Sequence, residues 1–378
     1  MKLKIRPRLR TAVLASVGLI LIPTAVQRVR APGIAAARSA GANSSAPGKR
    51  ILVYYDMEGL SGQSDWRTAS FEEGEYYRRG QDLLVEDVNA VVRGLAAGGA
   101  SLIDVVDYHG SGNHDSDLPP SRLDAHARAI ARDEPFEPGT DLVKPGVYDG
   151  VAAVAMHAKT STRGFLAHTF EIGLNISLNG HWITETEFLG YSWGRVGAPI
   201  ILVSGDDKLA EDLQTMPWLK YVISKHATGT ISAELLPPEQ VHEALQQSAK
   251  VAVQNLRTAE VMNLKTPIQV VVRASPPESL SVLKDVPGVK YQNESVSFAA
   301  KDLDEAGRGI TALANIGTQP FQKFVLEELQ KQANAAEVQR HGLEEMIQRY
   351  ADAEEGRWTS QPHTKPPTAS DGKYYGDR

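Results

Sequence analysis

The chain has 378 residues, 42 % of them hydrophobic, enough to bury a sizeable core as two domains or one large one. Its formal net charge of −6 gives no global attraction for nucleic acid or anionic membranes. It has no cysteine, which excludes disulfides, thiolate ligands and cysteine nucleophiles and leaves His, Asp and Glu to build any transition-metal site.

Residues 1–48 read as a signal peptide or N-terminal anchor followed by a flexible spacer. Lys2, Lys4, Arg6, Arg8 and Arg10 make a basic start, an uncharged run extends from Thr11 to Gln27, and an Ala/Gly/Ser-rich stretch reaches Gly48. The apolar run is short for a spanning helix, which needs ~20 residues. Ala35 to Ala37 fits a cleavage site but lies late, so an uncleaved anchor is the alternative. The segment predicts export to a periplasmic or extracellular compartment, with membrane contact only through this stretch.

Ile51 to Tyr55 is a run of β-formers too short for a helix, and it ends in Asp56, Glu58 and Gly59. If the extended conformation persists, Asp56 and Glu58 share a face, where they repel each other unless a cation lies between them. The competing reading is an acid capping the next helix. Phe71 to Ala97 has an apolar stripe at Leu84, Val88, Val91 and Leu95, and Gly98-Gly99 supplies a C-cap. Leu102 to Asp107 is a second strand, which makes a βαβ unit and hence a parallel sheet with its functional ends at the strand C-termini. A helical piece is expected near Arg122–Ala131. Gly150 to Met156 and Pro199 to Ser204 are further buried strands. Ile172 to Leu178 runs into Asn179-Gly180, the strongest hairpin signal in the chain, with Trp182 and Ile183 on the return arm.

Beyond Lys208 the chain reads as a smaller α+β layer. Its elements are helices at 239–256, 278–283 and 303–314, with strands at 267–272 and 289–291. Pro320 opens a long helix to about Asp352, and a polar tail follows. The predicted organisation is a three-layer α/β/α catalytic domain with a mostly parallel sheet at 49–207, a smaller α+β domain at 208–318, and a C-terminal helix and polar tail at 319–378.

His109, His157 and His168 each follow an apolar run in the parallel-sheet region. One histidine in that position is more often structural. Three of them sharing an edge with Asp56 and Glu58 suit a two-metal hydrolytic site.

At these residues the chain resembles the zinc-dependent D-aminopeptidase family, the DppA-type metallopeptidases, from about Ile51 to Gly317. The family's Ser-x-Asp-x-Glu-Gly block is similar to Tyr54 to Gly59, its Asp-x-His-Gly block to Asp107 to Gly110, and its His-Ala to His157-Ala158. Its His-Thr resembles His168-Thr169, and its Asn-Gly-x4-Glu places the last glutamate at Glu185 rather than Glu187. The resemblance implies two zinc ions per chain held by Asp56, Glu58, His109, His157 and Glu185, with Asp56 as the bridging carboxylate and His168 as the catalytic group. It implies metal-activated water attacking a short peptide, with an N-terminal D-residue, and ring-like homo-oligomers. Tyr54 departs from the family serine, and Thr184 from the glycine before the last glutamate. Glu187 is a weak candidate for the substrate amine, and Lys225 resembles a recurrent family lysine with either a structural or a rim role. The alternatives are an amidohydrolase or L-peptidase on the same scaffold, and a non-catalytic exported peptide-binding protein.

Overall fold

Alternation along β1 (Lys49–Tyr55) sets the layers. Ile51, Val53 and Tyr55 face one core, Leu52 and Tyr54 face the other, and all five are buried. Each aliphatic side chain removed from water in this way contributes roughly 1.5–3 kcal/mol of transfer free energy. In this computed structural model the described residues are 48–131, 138–275, 288–316 and 333–358, together with 280, 281, 283, 284 and 331. The expected export segment at 1–47, most of the helix expected at 278–283, the first part of the helix expected from Pro320 and the tail from 359 lie outside the described residues.

β2 (Ala100–Asp107) and β4 (Gly150–Met156) flank β1, both parallel to it. Beyond β4 come β7 (Ile200–Asp206) and β8 (Lys220–Gly229), also parallel, and then the antiparallel edge strand β9 (Ser232–Leu235). The short β3 (Arg128–Ala129) closes the other edge, giving the order β3-β2-β1-β4-β7-β8-β9. One face is covered by α1 (Glu75–Ala97) and α5 (Pro238–Gln254), which pack side by side. A short turn of helix, α2 (Pro138–Asp141), precedes β4. The opposite face is covered by α3 (Glu185–Gly194) and α4 (Asp207–Asp212) through Leu189, Trp193 and Leu209. The three-layer α/β/α arrangement expected from the strand and helix alternation is present. Tyr54, where the family has serine, lies in this second core and its hydroxyl accepts a 3.0 Å hydrogen bond from the Trp193 indole.

A second, antiparallel sheet has the order β11-β12-β10-β5-β6. It contains β5 (Leu174–Leu178), β6 (His181–Ile183), β10 (Ile268–Ala274), β11 (Lys290–Gln292) and β12 (Ser295–Ala300). Its core is closed by α6 (Leu303–Ile316), and α7 (Ala335–Glu354) follows. The hairpin between β5 and β6 turns at Asn179 (φ 52°) and Gly180 (φ 87°), the two left-handed positions of a tight two-residue turn. Among the described residues no helix is long and apolar enough to cross a membrane.

Three expectations differ from the structure. A boundary at 207 falls inside the larger sheet, because β8, β9 and α5 belong to it, while β5 and β6 belong to the smaller one. The helix expected from Phe71 begins at Glu75, after short 3-10 turns at Trp66–Ala69 and Phe71–Glu73. Arg122 ends a short 3-10 turn from Pro120, and the rest of Arg122–Ala131 is not helical. The Asp124 carboxylate accepts from the His126 N–H, and Arg128 pairs with Asp104 across the sheet edge at 2.8 and 2.9 Å.

α1 and α5 are also joined by charge. His242 on α5 lies 3.0 Å from the Asp87 carboxylate of α1, and Asp87 in turn accepts from the backbone N–H and hydroxyl of Ser61. Asp87 raises the His242 pKa, burial opposes this, Glu86 adds to it and Arg93 subtracts. A raised folded-state value makes this contribution complete below the ordinary histidine pKa of about 6.5, and it is lost as pH rises through the folded value. The stability difference between the wild type and His242→Gln should therefore be largest in mild acid and shrink on the alkaline side. Urea unfolding of both proteins across that range measures it, and a pH-independent difference would refute the coupling.

Candidate metal centre

β1 delivers Asp56 and Glu58 by a turn rather than by strand alternation. Regular pairing stops at Tyr55, Asp56 N–H donates to the Val154 carbonyl at 2.9 Å, and Gly59 N–H donates to Ala155 at 2.8 Å. The Met57 N–H points at both carboxylates, 2.9 Å from Asp56 Oδ1 and 3.3 Å from Glu58 Oε2. Gly59 is required here, because a Cβ would stand 2.1 Å from the Met156 carbonyl at the end of β4.

The other groups come from neighbouring strand ends. His109 follows β2, where its N–H donates to Asp107, and its Nδ1 lies 2.9 Å from Asp56 Oδ1 and 3.2 Å from Glu58 Oε2. His157 follows β4, with Nε2 at 3.3 Å from Asp56 Oδ2 and 3.5 Å from Glu185 Oε1. Glu185 is the first residue of α3, so the helix N-terminus favours its charge, and it accepts from the Phe170 N–H at 2.7 Å. His168 stacks on His157, with ring centroids 3.9 Å apart and planes 13° from parallel, and its Nε2 is 3.7 Å from Glu185 Oε1. All six sequence-predicted residues thus converge. They form two triads able to hold a cation, Asp56–Glu58–His109 and His157–His168–Glu185. Asp56 presents one oxygen to each side.

The donor set fits divalent metal. Each imidazole has one nitrogen beside a backbone carbonyl: His109 Nε2 at Ala69 (2.7 Å), His157 Nδ1 at Ala158 (2.9 Å) and His168 Nδ1 at Leu166 (2.7 Å). A carbonyl only accepts, so these nitrogens carry the protons and the opposite nitrogens turn lone pairs toward the carboxylates. Lone pair facing carboxylate is repulsive without a cation or a second proton between them. His157 Nε2 is accordingly buried without a hydrogen-bond partner. The electrostatics show the same excess of negative charge. Burial alone would lower the His109 and His157 pKa values, yet Glu58 and Asp56 raise the first and Glu185 and Asp56 the second, well above the usual imidazole range. Burial and then the Asp56 charge push Glu58 up to about 7. Burial would raise the Asp56 pKa, but the adjoining His109 and His157 imidazoles hold it low. His168 behaves differently: burial and the neighbouring His157 lower it to about 4.

The sequence profile of the D-aminopeptidase family matches residues 49–312. The chain belongs to that family. It is a peptide-bond hydrolase of the aminopeptidase type. A D-aminopeptidase of Bacillus subtilis (strain 168) is 23 % identical over 273 residues, which cover 71 % of this chain and 97 % of the relative. The solved structure of the Zn-dependent D-aminopeptidase DppA from Bacillus subtilis, described as a self-compartmentalizing protease, superimposes with a TM-score of 0.64. It has 21 % identity and covers 71 % of this chain and 98 % of that one, so the likeness shows the fold.

Two residues singled out in the sequence belong elsewhere in this family member. Glu187 is fully buried and closes a capping box with Thr184, while its other oxygen meets His181 at 2.7 Å, so it does not face the site. Thr184, the departure from the family glycine, is the N-cap of the helix that carries Glu185. Lys225 is fully buried beneath the metal loop rather than at a rim. Its ammonium donates to the Glu58 carbonyl (2.6 Å) and Gln63 Oε1 (2.5 Å) and lies 3.9 Å from the centre of the Phe165 ring. Glu171 was missed. Burial and the charge of Glu185 raise its pKa to about 8. Its position three residues after His168 was the only sequence signal for it.

Because Gly59 meets backbone rather than a movable side chain, Gly59→Ala should cost about 1–3 kcal/mol of unfolding free energy, the usual range for overpacking. The same shift should displace Glu58 from Asp56 and lower divalent-metal uptake. Chemical denaturation with metal analysis checks both, and normal stability with normal uptake would contradict the close packing.

Proposed function

We propose that the chain is a binuclear zinc aminopeptidase that hydrolyses short peptides bearing an N-terminal D-residue. The observation that carries this reading is the position of Asp56, whose two oxygens face different histidines in adjoining cation-binding triads. Asp56, Glu58 and His109 would hold one zinc, and Asp56, His157 and Glu185 the other. The fixed histidine tautomers suit this role, because each directs a lone pair inward. When bound, such ions supply Lewis acidity and make water a better nucleophile at neutral pH. His168 stays in its neutral form, with Nδ1–H tied to Leu166 and Nε2 open toward the site, as suits a group that takes and returns a proton at Nε2. Zinc and the D-configured substrate are supported by the descriptions of the two Bacillus subtilis proteins. The self-compartmentalizing character of the solved relative supports a ring-like homo-oligomer here. The basic start and apolar run support export, with membrane contact only if that segment stays attached.

The competing role for His168 is that of a ligand, because it completes a triad with His157 and Glu185. Two variants separate the roles. Asp56→Ala should lose zinc, lose the binding contribution to thermal stability and lose turnover. His168→Ala should keep zinc and stability while turnover of D-Ala-D-Ala falls by about 10²–10⁴, the usual loss of a general acid or base. Equal loss of zinc in the two variants makes His168 a ligand, and chelator-resistant activity ends the metal reading altogether. A preference for L-Ala over D-Ala dipeptides would remove the stereochemical part alone.

A further inference from the structure

The segment that carries His168 is under backbone strain. Ser161 (φ 76°), Arg163 (φ 58°), Leu166 (φ 50°) and Phe170 (φ 68°) all occupy the left-handed region, where side-chain-bearing residues persist only when their surroundings hold them. The holding bonds come from several directions. Asp206 accepts from Phe165 N–H at 2.7 Å, the Thr230 carbonyl accepts from Leu166 N–H at 2.7 Å, and Glu185 accepts from Phe170 N–H at 2.7 Å.

Further restraints come from α7, which begins at Ala335, after the family-matched stretch has ended at 312. Its buried face is Ile347, Tyr350 and Ala351. The Tyr350 hydroxyl donates to the carbonyl of Ala167, the residue directly before His168. Glu354 accepts from the Ser161 N–H at 2.5 Å, and Glu355 accepts at 3.1 Å from the N–H of Thr230, whose carbonyl holds Leu166. At its other end α7 packs against Phe71–Glu73, just beyond the Ala69 carbonyl that fixes His109. The helix therefore holds the His168 segment at one end and packs near the turn that supports His109 at the other.

We propose that Tyr350 is a positioning residue for the hydrolytic reaction, and that α7, through the Ala167 carbonyl, fixes the orientation of the His168 ring. The proposal rests on the reading of His168 as the proton-transfer group. The Ala167 carbonyl belongs to the peptide unit whose nitrogen is that of His168. The N–H of the same unit donates to the Ala158 carbonyl at 3.0 Å, so the Tyr350 bond holds its other end, and a rotation of the unit changes where the imidazole points.

The test uses the full-length, zinc-loaded enzyme with Tyr350→Phe, which keeps the ring and removes the donor. The expected result is a fall in kcat of about ten- to a hundred-fold, the scale of a misplaced catalytic group, with KM and zinc content unchanged. Ile347→Ala, on the same buried face but without a bond to the His168 segment, should lower Tm and leave kcat within about twofold, since a cavity costs stability rather than alignment. Should Tyr350→Phe fail to fold, Glu354→Ala removes the neighbouring restraint on Ser161 and must show the same fall in kcat at constant KM and zinc. Wild-type kcat in the folded variant overturns the proposal. So does a kcat loss that tracks zinc loss, or an equal kcat loss in Ile347→Ala. His168→Ala serves as reference: if that variant loses zinc, the role of His168 is what fails, whatever Tyr350→Phe does.

Discussion

Two carboxylates of like charge, Asp56 and Glu58, are buried together at the end of a central strand, and the rest of the centre follows from that conflict. Buried anions are tolerated only when they are paired or bound to cations. Here the chain supplies imidazoles, but each has one nitrogen already committed to a backbone carbonyl and only one left to meet the acids. That arrangement suits divalent cations better than protons, because neutral histidines are the ligands a metal requires. The surrounding polar network is consistent with this. Lys225, fully buried, offers its charge to the carbonyl of Glu58 rather than to either carboxylate, so the acids stay available while the loop beneath them is fixed. Burial holds the Lys225 pKa down to about 7, against the pull of Asp206, Glu58 and Asp87.

Much of this organisation was legible in the sequence because strand periodicity is a local property. Ile51–Tyr55, Leu102–Asp107 and Gly150–Met156 read as buried strands, and their C-terminal ends carry Asp56, His109 and His157. Asn179-Gly180 announced a hairpin for the same local reason. Which sheet a strand joins is not local. The hairpin arm β5 pairs with β10, roughly a hundred residues away in sequence, while β8 returns to the parallel sheet, and no periodicity separates those two outcomes. Arg122–Ala131 failed for a related reason: its alanines favour helix, but the Asp124 cap and the partner strand at Asp104 and Val105 prevailed.

The individual site residues were legible as types, and their roles only through resemblance. Spacing can place His168 near the centre but cannot say whether its Nε2 meets a metal or a substrate, and the distance of 3.7 Å to Glu185 Oε1 is open to either use. Glu185 and Glu187 illustrate the same limit. They are two residues apart on one helical turn, yet one faces the histidines and the other is consumed by the capping box that starts the helix. Tyr350 could not be found by any motif, because a tyrosine on an amphipathic helix has no distinctive context until the fold brings it to the His168 segment.

The division of the centre between the two sheets has a physical consequence for folding. Asp56, His109 and His157 stand on the parallel sheet, whereas Glu185 opens the helix that leaves the β5–β6 hairpin of the antiparallel one. The Phe170 N–H, donating to Glu185, and the Thr169 hydroxyl, donating to the Ile183 carbonyl, tie the His168 segment to that hairpin. His157 and His168 stack across the junction. Neither sheet alone can present the full donor set, so a cation held by Asp56, His157 and Glu185 would be bound only when the two sheets are docked. Binding energy at such a centre acts on the docked state and not on either part, which couples loading of the site to completion of the fold. The strained segment between them needs its restraints for the same reason: it spans the seam, and its geometry is set by what packs on both sides of it.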